Sequence, residues 1–79
     1  MSAPVDVRGV IAATIADLRA SGDTGMVENL LEADAAIAEL IAAASGIEGL
    51  ARLAAAPLKD YRAAVDRLTA ALARVGGAA

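Results

Sequence analysis

Cysteine and histidine are both missing from this chain, as are tryptophan and phenylalanine, and Tyr61 is its only aromatic residue. Without cysteine no disulfide can staple the fold, and thiol usage says nothing about compartment. Without either metal-binding residue type, the usual zinc, haem and iron–sulfur ligand sets are gone. Histidine-based acid–base catalysis and pH switching near neutrality go with them. The expectation is therefore no cofactor, no metal and no enzyme. Aromatic platforms for stacking nucleic-acid bases are absent too. With a net charge of −3, nucleic acid and anionic membrane surfaces are unexpected partners. No run of about 18 uncharged apolar residues exists, because Asp34 and Glu39 interrupt the most apolar stretch, so no membrane-spanning helix is predicted. The opening MSAPVDVRG lacks a basic region followed by an apolar run, so no secretory signal is read there. The cytoplasm is the default location, or a virion if the chain is phage-encoded.

Hydrophobic residues make up 58% of the 79, and much of that share is alanine. Alanine is the best helix former and lets backbones approach closely. β-Branched residues are scattered, and apart from the short Val5-Asp6-Val7-Arg8 they do not alternate with polar ones, which gives strands little support. A core of Ala, Leu, Ile and Val predicts tightly spaced helices without a large ligand pocket. The length allows a single domain spanning 1–79, whose own core stabilises it by only a few kcal/mol.

The periodicity predicts an all-α fold: a small antiparallel bundle of three main helices plus one short helix. The first helix, about 5 to 20, places Val7, Val10, Ile11, Ile15 and Leu18 on one face, with Ser2 as a candidate cap. Gly9 weakens its interior and leaves room for a close neighbour. The Ser21–Gly25 stretch is the clearest break, and Asp23 or Thr24 can cap a second helix over 24 to 45. Ser45-Gly46-Ile47-Glu48 has the form of a capping box and predicts a short third helix over 47 to 55. Pro57 suits the first turn of a last helix, 57 to 75, closed by Gly76-Gly77.

On that last helix Leu58, Tyr61, Val65, Leu68, Leu72 and Val75 recur at intervals of three and four. This is the heptad seam of a bundle or coiled coil, with Ala64 and Ala71 flanking it. The second helix shows the same rhythm at Val27, Leu30, Asp34, Ile37, Ile41 and Ala44. Asp34 is therefore an acid in a seam. A carboxylate there is costly unless paired, hydrogen-bonded or protonated. Three resolutions stay open: a slight rotation that leaves it at the wet margin; an internal partner such as an Arg, Thr14 or Tyr61; or a role in register or partner choice.

Glu28, Glu32 and Glu39 form a narrow acidic stripe. From Asp23 through Glu39 there are five acids and no base. The plain reading is a solvated helix face, and the sharper one is a docking surface for a basic partner. Lys59, Arg62, Arg67 and Arg74 could line a complementary rim on the last helix.

Asp23-Thr24-Gly25 spells the tripeptide that carries the catalytic aspartate of aspartic proteases. That chemistry needs two such carboxylates in a β-rich scaffold, so one copy between helices reads as a turn and cap. Acyl carrier proteins share this size and acidity, but both Ser21 and Ser45 lie in Ala-Ser-Gly, not in the Asp-Ser-Leu of those carriers. Lys59, Asp60 and Tyr61 remain as ordinary surface and seam residues.

The function expected is a non-enzymatic helical protein–protein interaction module that works by self-association or by burying a helix face in a protein partner. It would be an accessory or structural subunit of a larger assembly; Ala-, Arg- and Gly-rich usage suggests a GC-rich bacterial or bacteriophage genome, and a bacteriophage particle, which needs only shape and an apolar face, would fit. The alternative is a small acidic regulator or inhibitor, antitoxin-like or anti-defence, acting through the second helix.

Overall fold

The computed structural model describes residues 4–76, and every regular element among them is helical: α1 (Val7–Ser21), α2 (Thr24–Ala51) and α3 (Leu58–Arg74). Ser2 lies outside the described residues. The residue that starts α1 is Asp6, whose carboxylate accepts from the Gly9 backbone N–H at 2.9 Å. A Cβ at position 9 would stand 2.5 Å from Oδ2 of Asp6. Gly9 thus makes room for the cap of its own helix, not for a neighbouring helix as its position suggested.

The end of α1 follows from one backbone angle. Gly22 takes φ +82, a region that costs glycine little and L-residues more. Its N–H donates to the Arg19 carbonyl at 3.2 Å, and the Asp23 N–H donates to that of Leu18 at 3.0 Å. These two bonds satisfy carbonyls that the helix end would otherwise leave free. Asp23 then caps α2 by accepting from the Met26 N–H at 3.2 Å, as one of its two expected roles required.

α2 departs from the expected outline. It runs 28 residues without interruption, so the end near 45 and the separate short helix over 47 to 55 are both corrected. Ser45 sits in mid-helix and caps nothing, because Gly46 and Gly49 each cost a helix only about 1 kcal/mol and no proline intervenes. Glu48 does not reach back to Ser45. It accepts from Arg52, four residues on, at 2.5 Å. The chain leaves helix after Ala51, and α3 begins after Pro57, with φ −59. At the far end Gly76 takes φ +85, while Gly77 lies outside the described residues.

The chain divides into two compact units between Ala35 and Ala36. In the first, α1 and the opening part of α2 contact each other. Ile15 and Val27 are buried there, with Ile11, Leu18 and Leu30 half-buried. In the second, the rest of α2 contacts α3. Its buried residues are Ala36, Ala43 and Ala71, surrounded by half-buried Leu40, Ile47, Leu50, Tyr61 and Leu68. The Tyr61 hydroxyl donates to the Leu50 carbonyl at 2.9 Å and ties the start of α3 to the end of α2. Small side chains let helices approach closely, so alanine can hold the centre of such a pair.

Candidate functional site

α3 carries five of the six residues of the expected seam, with Val75 at its C-cap, and the structure divides them. Tyr61 and Leu68 are half-buried beside Ala64, and Ala71 is wholly buried at 0% exposure. Leu58, Val65 and Leu72 remain 64%, 50% and 39% exposed, and Val75 40%. The inward face of α3 thus centres on Ala64 and Ala71, turned about 100° from the line through Leu58, Val65 and Leu72. The alanines expected to flank the seam are at the middle of the contact. Four of the six seam residues stay on the surface, and Leu58, Val65 and Leu72 line up there as an apolar stripe.

Asp34 has an internal partner. Arg8 of α1 grips it with both arms of the guanidinium, Nε to Oδ1 at 2.9 Å and Nη2 to Oδ2 at 3.1 Å. The side chains are 52% exposed for Arg8 and 26% for Asp34, so the pair sits at a partly wet margin of the first unit. The hydrogen bonds from Arg8, assisted by its charge and opposed by partial burial, hold the Asp34 carboxyl below the usual range. The same bonds raise Arg8 above its ordinary value. Thr14 and Tyr61, the other conceivable partners, are engaged elsewhere: the Thr14 hydroxyl donates to the Val10 carbonyl at 2.9 Å, and Tyr61 to Leu50. A faint signal for Arg8 existed in the sequence. Counting back through a turn at Gly22-Asp23 puts Asp34 level with about Ile11, within one helical turn of Arg8.

The acidic stripe is also divided. Glu28 and Glu32 are exposed in the first unit. Glu39 is half-buried in the second and accepts from the Arg74 guanidinium near the end of α3. One of the expected rim pairs between the second and last helices is therefore present.

The remaining candidates are ordinary. Asp23 is a cap, and the Ser21 hydroxyl donates to the Leu18 carbonyl at 3.0 Å. Ser45, Lys59 and Asp60 are exposed. Among the described residues no group of three or more acids is placed to hold a metal ion, and no helix is long and apolar enough to cross a membrane. The feature that periodicity alone did not expose is the stripe of Leu58, Val65 and Leu72, since the same repeat also describes a buried seam. No protein-family model, no curated protein and no solved structure matches the chain.

Proposed function

We propose that this protein is a non-enzymatic helical interaction module, an accessory or structural subunit that covers an apolar helix face by assembling with protein. The observation that carries this reading is the stripe of Leu58, Val65 and Leu72 left exposed on α3 while alanines fill the contact beneath it. Isolated apolar residues on a surface are normal, but a helix-length line of them marks a contact surface. The buried core supports the same reading, since among the described residues it contains no wholly buried large side chain. Small domains of this kind commonly gain stability through assembly. Within each unit we read the paired helices as antiparallel, which short connections favour. A component of a bacteriophage particle remains a fitting role, because it asks only for shape and an apolar face.

The acidic-regulator reading has less support. Arg74 already pairs with Glu39, leaving Glu28 and Glu32 as the part of the stripe without an ion-pair partner among the described residues.

The test is solution mass by light scattering across concentration, for the full chain alone and with the proteins encoded beside it. Wild type is compared with a Leu58→Asp, Val65→Asp, Leu72→Asp triple variant of equal helicity by circular dichroism. The wild type should assemble and the variant should not. Equal masses and equal partner behaviour would remove the stripe from any role in assembly. Loss of association in Glu28→Gln, Glu32→Gln, with the triple variant unaffected, would favour the acidic regulator.

A further inference from the structure

We infer that the exposed stripe of α3 is a self-docking surface: it packs against the same stripe of a second copy, the two helices antiparallel, with Val65 on the two-fold axis. This rests on the interaction-module reading and names the partner. The first support is the symmetry of the stripe. Leu58, Val65 and Leu72 are spaced seven apart, so reversing the helix about Val65 lays Leu58 of one copy against Leu72 of the other. A two-fold contact requires such self-complementarity.

The second support is charge. Arg62 and Asp66 lie on the same flank of the stripe, the flank away from Ala64 and Ala71. They are exposed, and neither has an ion-pair partner among the described residues. Antiparallel pairing brings like flanks together. Reversal about Val65 then sets Arg62 of one copy within about 3 Å, measured along the axis, of the level of the second copy's Asp66. Symmetry repeats the pair, so two unpaired cations meet two unpaired anions. A parallel pair would set this flank against Ala64 and Ala71, which are turned inward, and would bring neither charge to an opposite one across the contact.

Size sets the strength. α3 has 17 residues, which makes it about 25 Å long. A contact of one helix on another is smaller than a standard stable interface, so association is expected in the micromolar range.

The natural absence of cysteine makes the geometry directly testable. In the full chain under mild oxidation, Val65→Cys should form a disulfide-linked dimer, because position 65 meets itself at the axis. Leu58→Cys alone should not, since its two copies stand about 21 Å apart along the axis. An equimolar mixture of Leu58→Cys and Leu72→Cys should cross-link. By sedimentation equilibrium, Asp66→Arg and Arg62→Asp should each weaken the dimer about tenfold at low salt, less at high salt, and the double reversal should restore it.

Self-linking at position 58 as fast as at 65, or a double reversal no tighter than the single ones, overturns the antiparallel α3 pairing. A chain that stays monomeric to about 1 mM, far above the expected range, overturns the second copy as occupant. If another protein then engages the stripe and the triple Asp variant loses it, the module reading stands without this inference. If wild type and triple variant behave alike throughout, both fall.

Discussion

Asp34 and Arg8 form the most specific polar contact across the first unit, and its geometry implies a pH dependence of known sign. The carboxyl of Asp34 is held below its ordinary range, which lies near 3.9 in unfolded chains. On acidification the unfolded chain therefore takes up this proton before the folded one. The stabilisation is present above about pH 4 and is lost as pH falls through the lower folded value. Urea melts of wild type and Asp34→Asn should separate near neutrality and converge toward pH 2. Parallel curves would show that the pair does not couple to folding. Arg8→Ala should flatten the acid limb in the same way. At the turn, Gly22→Ala should cost about 1 kcal/mol, because φ +82 strains any residue with a Cβ. An unchanged melt would deny the left-handed cap. Of these contacts, the glycine turn and the Asp23 cap were legible in the sequence. The Arg8 partner was only faintly so: the hairpin count set the two at a similar level, but the contact spans 26 residues and depends on how two helices are rotated against each other.

At the scale of the element, α2 and α3 make opposite demands on local signals. Ser45-Gly46-Ile47-Glu48 is a valid cap motif that the helix overrides, since continuing costs only glycine's modest penalty. A Cβ added at Gly46 or Gly49 meets open space. Gly46→Ala and Gly49→Ala should each raise stability by about 0.5–1 kcal/mol, read from chemical denaturation. A loss at either position would favour a break near Ser45. On α3 the apolar repeat is wider than one contact face, and alanine decides which part turns inward. Ala71 has no exposure, so Ala71→Leu should overpack the contact and destabilise by about 1–3 kcal/mol. Val65→Ala, measured at low concentration, should cost less than about 1 kcal/mol, because half of that side chain is already solvated. If Val65 proved the costlier site, the inward face of α3 would be the seam read from the periodicity.

At the scale of the molecule, the balance between buried and exposed apolar groups dominates. Ile15, Val27 and three alanines are the buried hydrophobic residues among those described, while side chains as large as Leu53 and Leu58 stay 58% and 64% exposed. Such a chain gains stability from whatever covers its surface. Its melting temperature should therefore rise with protein concentration, since association favours the folded state by mass action. A concentration-independent melt would mean that the helices are sufficient alone. The sequence by itself determined the helical class, the break at Gly22-Asp23, a last helix opening at about Pro57 and the lack of histidine and cysteine ligands. Each of these is local or compositional: helix propensity, turn chemistry and residue type act within a few positions. Tertiary structure decided that Arg8 holds Asp34, that Arg74 holds Glu39, and that α3 buries Ala71 and leaves Leu58, Val65 and Leu72 outside. Those outcomes depend on how closely two helices can approach, which small side chains set and no single-helix periodicity records.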